Sequence, residues 1–124
     1  MKLKRTKVDL YINNKEDKIY FKDIEAQINE DKLLFDVENE KHEIIKDDNL
    51  QLKKENKDSI INFIFKENKK TNSIYFIKEY NTNINIYVKT NMLYIKDNNI
   101  EVNYTLWIEE ELIGDFYFRI NIKE

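Results

Sequence analysis

The chain of 124 residues contains no cysteine, no proline and a single glycine. Without cysteine it has no disulfides, no thiolate nucleophile and no cysteine-ligated zinc site. Because Gly114 is the only glycine, asparagine must supply most of the turn positions that need a positive φ. No proline- or glycine-rich linker marks a boundary, so we expect a single domain over residues 1–124.

An excess of positive charge and a long apolar run are also missing. The chain has 21 basic and 24 acidic residues, a net charge of −3, whereas a nucleic-acid-binding surface usually carries a clustered basic excess. No run approaches the roughly 20 apolar residues of a membrane helix, and no apolar stretch follows the basic residues 2–7 as in a signal peptide. We therefore expect a cytoplasmic protein with no nucleic-acid partner and no membrane insertion.

Short segments in which apolar and polar residues alternate cover almost the whole chain. In the clearest of them, apolar side chains stand at every second position from Ile100 to Ile108 and again from Phe116 to Ile122. A period of two places successive side chains on opposite faces of a β-strand. The predicted strands are residues 4–12, 18–28, 32–37, 42–46, 50–54, 59–65, 73–80, 83–88, 92–95, 100–109 and 116–123.

All but one of the breaks between these strands are two to six residues long, which favours antiparallel neighbours because parallel strands need longer crossovers. Many consecutive antiparallel strands tend to close, since closure removes unpaired edges. The sequence therefore predicts an all-β protein, an antiparallel up-and-down meander closed into a small barrel.

Two irregularities in the alternation predict bulges. The apolar parity of the second strand shifts near Lys22 and Asp23. In the last hairpin, a bulge at Gly114 would return Phe116 to the face of Leu106.

Two central segments, residues 60–65 and 74–77, are apolar at both parities, as in strands covered on both faces. The chain offers no amphipathic helix to cover their outer face, so the cover is either a folded-over terminus or a homodimer or partner contact, and this contact is one functional hypothesis. Its predicted interface residues are Ile61, Phe63, Phe65, Tyr75 and Ile77.

Residues that usually carry catalysis do not form a known pattern here. His42 is the only histidine, and its polar neighbours predict a surface strand residue. Carboxylate pairs such as Asp47 and Asp48 are typical of solvated turns in so charged a chain. We therefore expect neither an enzyme nor a metal or cofactor site.

Polar residues at apolar positions are better candidates for function, because an inward polar group needs a partner or a ligand. Tyr104 lies between Val102 and Leu106, while Lys78 and Tyr94 share parities with Phe76 and Met92. The predicted ligand-binding residues of the barrel interior are Tyr104, Tyr94, Lys78 and Tyr80. The alternative is an interior filled by side chains, with the tyrosine hydroxyls at its rim.

Trp107 and Arg119 are predicted to form a structural cation–π pair across the final hairpin.

That hairpin, residues 99–108 and 116–122 around an acidic turn, resembles the end of the YwiB-like family of uncharacterised small bacterial proteins. Residues 33–38 are similar to the third strand of that family. The resemblance implies a calycin-like (lipocalin-like) barrel and brings no established activity. The first functional hypothesis is a bacterial binding module for a small apolar or amphipathic ligand in the barrel mouth. The homodimer or partner contact is the alternative, and an enzyme using carboxylates comes third.

Overall fold

The alternating segments form ten strands in the computed structural model, counted over the residues it describes, 2–14 and 16–123. They are β1 (Lys4–Asn14), β2 (Lys18–Ile28), β3 (Lys32–Val37), β4 (Glu40–Lys46), β5 (Leu50–Glu55), β6 (Ser59–Phe65), β7 (Lys70–Ile77), β8 (Thr82–Lys96), β9 (Asn99–Ile108) and β10 (Glu111–Lys123). No helix in this described part of the chain is long and apolar enough to span a bilayer.

Each strand pairs antiparallel with its neighbours in sequence, and β1 pairs with β10 to close the barrel. The predicted all-β meander closed into a barrel is therefore confirmed. Predicted strands 83–88 and 92–95 are one strand, β8, because Asn91 is accommodated as a bulge between Thr90 and Met92.

Both predicted bulges are present. Val8 pairs with Ile24 and Leu10 with Phe21, so β2 carries an extra residue beside Asp9. In β10 the register shifts between Leu112 and Gly114, which has a φ of +149°, a conformation that side chains with a β-carbon rarely adopt.

One face of every strand points into the barrel, where its side chains form a continuous apolar core. The large side chains buried there almost completely are Phe65, Leu33, Ile44, Leu50, Ile100, Ile120, Val8, Val88 and Val102. Such continuous apolar burial is the main stabilising contribution to the fold.

Asp9 holds the β2 bulge from the outer face of β1. Its carboxylate accepts a hydrogen bond from the Asp23 amide at 2.9 Å and one from the Tyr20 hydroxyl at 3.3 Å. The Lys123 ammonium lies 3.1 Å from Asp9 and also bonds Asp23. Burial raises the pKa of Asp9, but these donors outweigh burial and hold the pKa below its usual value.

Asp9→Ala should destabilise the protein by about 1–3 kcal/mol, because the Asp23 amide loses its acceptor. Since the pKa of Asp9 is lowered in the folded state, its charge-dependent contribution is present above the unfolded pKa, about 3.9. That contribution is lost as the pH falls through the folded pKa. Urea unfolding of both proteins at pH 7 and at low pH measures the effect.

The control is Asp36→Ala, because Asp36 is exposed and faces Lys41 across the β3–β4 pair. It should change the free energy of unfolding by no more than about 0.5 kcal/mol. Equal losses in the two variants would contradict the role assigned to Asp9.

Candidate ligand-binding site

A cavity of about 280 Å³ opens at the end of the barrel where the β3–β4, β5–β6 and β9–β10 hairpins turn. Its lining is mostly apolar and aromatic. The lining residues are Leu10, Ile12, Asn14, His42, Leu52, Lys54, Phe63, Tyr104, Leu106, Phe116, Tyr117, Phe118 and Ile120. Ten strands enclose a wider interior than eight, which side chains only just fill, and this extra width leaves space at the mouth.

Tyr104 of β9 lies at the centre of an aromatic cluster in this cavity. Its ring stacks on Phe116 with centroids 5.5 Å apart, and it contacts Phe65 at 5.0 Å and Phe63 at 5.7 Å. Burial raises the pKa of Tyr104, so its phenol is neutral at physiological pH. Its hydroxyl forms no hydrogen bond with residues 2–14 or 16–123.

His42 of β4 points into the barrel and is only 6% exposed. Its ring stacks on Phe35, with centroids 4.9 Å apart, and its Nε2 lies 3.1 Å from Oε1 of Glu40. Burial, together with the nearby positive charge of Lys54, lowers the pKa of His42 to about 3. The imidazole is therefore neutral at physiological pH.

Lys54 of β5 pairs with His42 of β4 and with Ile61 of β6. Both partners face inward, so the Lys54 side chain does too. Its Nζ lies 5.9 Å from the centroid of the Phe63 ring. Burial lowers the pKa of Lys54, and the charge of Glu40 partly offsets this. Within the described residues, its ammonium forms no hydrogen bond and no ion pair.

Glu40, the acid whose charge acts on Lys54, is already engaged. Its Oε2 accepts a hydrogen bond from Asn56 Nδ2 at 3.2 Å, while Oε1 lies beside His42. The mouth thus holds a neutral imidazole, a neutral phenol and the amine of Lys54, for which residues 2–14 and 16–123 supply no counter-ion within 4 Å.

Of the four predicted ligand-binding residues, the structure places only Tyr104 in the cavity. The interior placement of the other three was wrong. Lys78 and Tyr80 follow the end of β7, where alternation no longer determines the face, and Tyr80 is 69% exposed. The Lys78 ammonium bonds Glu55 at 3.0 Å and the Asn56 carbonyl at 2.8 Å.

Tyr94 is outside for a different reason. The bulge at Asn91 reverses the parity of β8, so that Leu93 packs against the core and Tyr94 pairs with Glu101 on the outer face. The face predicted for Tyr94 from the sequence did not take that bulge into account.

The predicted Trp107–Arg119 pair is also wrong. Arg119 pairs with Glu101, six residues along β9 from Trp107, or about 20 Å at the usual rise per residue. The Arg119 guanidinium instead lies over Tyr11, at 5.3 Å from the ring centroid, and Lys70 lies over Trp107 at 4.4 Å.

The predicted interface residues lie on the inner face of the sheet. Phe63 and Phe65 belong to the core, and Ile61 and Tyr75 pack against it. Ile77 shares the parity of Tyr75. The apolar residues on the outer face of these two strands are Ile60, Ile64, Ile74 and Phe76.

Sequence reasoning missed His42 and Lys54, although a signal was present. His42 has the parity of Ile44, and Lys54 has the parity of Leu50 and Leu52. The expectation that His42 is a surface residue was wrong, because its polar neighbours concealed that parity.

A larger depression, about 750 Å³, lies outside the barrel over β1, β2 and β3. Exposed side chains such as Arg5, Glu25 and Gln27 line it, so it encloses a ligand less than the mouth cavity does. Among residues 2–14 and 16–123, no three acidic or histidine side chains are grouped as metal ligands.

A closed antiparallel meander with a partly open, mainly apolar mouth is a calycin-like barrel. The chain belongs to the family described as "Domain of unknown function (DUF1934)", whose model matches residues 4–120.

The chain is also similar in structure to the ywiB protein from Bacillus subtilis. The TM-score is 0.56 at 8% identity, over 96% of this chain and 94% of that one. At this identity the likeness shows the fold alone. Together these matches confirm the resemblance to the YwiB-like family. No curated protein matches the chain significantly.

The electrostatics of the mouth predict that the imidazole signals of His42 stay constant in NMR spectra from pH 8 to pH 5, because its pKa is about 3. Lys54→Met should raise that pKa, since one of its two causes is removed. The matched control is Lys53→Met, which changes the neighbouring outer-face residue and should leave the titration unchanged. A wild-type midpoint near 6.5 would contradict this account.

Proposed function

We propose that this protein is a non-enzymatic binding module that takes a small apolar or amphipathic ligand into the mouth of the barrel. The observation that carries the proposal is the 280 Å³ cavity, with its aromatic lining and few polar groups. Small-molecule sites commonly combine an apolar enclosure with a few polar groups that orient the ligand. The volume lies just below the usual range for drug-sized sites, so the ligand is small or extends out of the mouth.

The packing of the lining supports a preformed site. Tyr104 is fixed by rings of β6 and β10, and Phe63 stacks on Phe65 with centroids 5.7 Å apart. A ligand entering such a site requires little ordering of side chains, which favours affinity.

The state of His42 supports binding over catalysis. An imidazole with a pKa of about 3 accepts a proton poorly at neutral pH, whereas efficient general bases have pKa values near the working pH.

The alternative function is a homodimer through β6 and β7. Its surface would consist of outward residues such as Ile74, which is 48% exposed, and a single patch of this kind is a weaker indication than an enclosed site. Sedimentation of the wild type and Ile74→Lys at high concentration tests it, because a dimer through this face would dissociate in the variant.

2-Naphthamide, an uncharged bicyclic probe with one polar group, tests the proposed function by isothermal titration calorimetry. We expect the wild type to bind it with one-to-one stoichiometry. Leu106→Trp places a larger side chain at the cavity wall and should reduce the affinity at least about tenfold, the effect of roughly 1.4 kcal/mol.

The matched control is Ile74→Trp, which adds the same ring to the outer face and should leave binding unchanged. Unfolding curves of both variants establish that they are folded. Equal binding by wild type and Leu106→Trp would place the probe outside the mouth and contradict the proposal.

A further inference from the structure

The side-chain amine of Lys54 is the one strongly basic group that lines the mouth, and the described residues place no carboxylate within 4 Å of its Nζ. Removing an ammonium group from bulk water is unfavourable unless an opposite charge or several acceptors replace the hydration shell. Here the nearest described partner is the face of Phe63, with Nζ 5.9 Å from the ring centroid, which replaces only part of that hydration.

Glu40 does not serve as this counter-ion. Asn56 and His42 hold its two carboxylate oxygens, at 3.2 Å and 3.1 Å, and no oxygen of Glu40 lies within 4 Å of Lys54 Nζ. The donors of Lys54 are therefore free for a group that enters the cavity.

A second free donor lines the same cavity. The Tyr104 hydroxyl forms no hydrogen bond in the described parts of the chain, and its phenol keeps its proton because burial raises its pKa. Lys54 and Tyr104 both adjoin Phe63, the first through its ammonium and the second at a centroid distance of 5.7 Å.

We propose that the ligand of the barrel mouth is a small aromatic or aliphatic carboxylate, whose carboxylate pairs with Lys54 while its apolar body packs on Phe63, Tyr104 and Phe116. This inference rests on the proposed function and specifies the chemistry of the ligand.

A single carboxylate fits this site better than a phosphate. Lys54 supplies one ammonium, and neither Arg5 nor Arg119, the only arginines of the chain, lines the cavity. Phosphate sites generally use an arginine fork or several backbone amides in addition to a lysine. The apolar lining provides for the remainder of the molecule.

The test compares 2-naphthoate with 2-naphthamide, which have the same bicyclic body and differ in charge. Wild type should bind 2-naphthoate at least about tenfold more tightly, equivalent to about 1.4 kcal/mol, because a hydrogen bond to a charged group is stronger than one between neutral groups. Titration calorimetry measures both dissociation constants.

Lys54→Met removes the charge and keeps an apolar side chain of similar length. It should abolish the preference for 2-naphthoate, so that the dissociation constants of the two probes in this variant agree within about threefold. Lys53→Met is the matched control, since Lys53 faces outward between Glu43 and Asn62, and it should keep the preference. Glu40→Gln removes the competing negative charge and should strengthen the binding of 2-naphthoate alone.

The outcomes separate the two proposals. Equal affinities for both probes in wild type, with both blocked in Leu106→Trp, would leave the binding function standing and overturn the carboxylate assignment. A preference for 2-naphthoate that persists in Lys54→Met would also overturn it. Binding of neither probe would overturn both.

Discussion

Pairing of the first strand with the last is the constraint on which the rest of the structure depends. The β1–β10 ladder joins Lys7 to Lys123 and continues to Asn14 opposite Phe116, so the meander has one inner face and one outer face. Ten strands enclose more space than the aliphatic side chains of the barrel fill. The half nearest the chain termini is filled by residues such as Val8 and Ile100, and the other half opens as the mouth.

Closure also determines the environment of a polar residue on the inner face. In an open sheet, Lys54 and His42 could turn to solvent, but inside the barrel they share one cavity with Tyr104 and Phe63. The same environment keeps the imidazole neutral and leaves the ammonium without a close counter-ion among the described residues. A largely desolvated site of this kind strengthens the attraction for an opposite charge that enters it.

The period-two pattern was enough to predict the strands, the meander, the closed barrel and the bulges beside Asp9 and at Gly114. The pattern failed where the alternation of faces is interrupted. The unrecognised bulge at Asn91 places Tyr94 on the outer face, and Lys78 lies beyond the end of its strand. The Trp107 contact required an accurate register. The alternation was sufficient to place Lys54 on the inner face. The distance between its amine and the Glu40 carboxylate, however, depends on the folded geometry.

In the proposed complex, the mouth of this DUF1934 barrel receives the apolar body of the ligand and Lys54 binds its carboxylate. The most direct measurement is an isotope-filtered NOE experiment on the labelled protein with unlabelled 2-naphthoate. We predict contacts from the naphthalene protons to Phe63, Tyr104 and Phe116, and from the proton next to the carboxylate to the Lys54 side chain. Contacts confined to outward residues such as Ile74 and Phe76 would contradict the account.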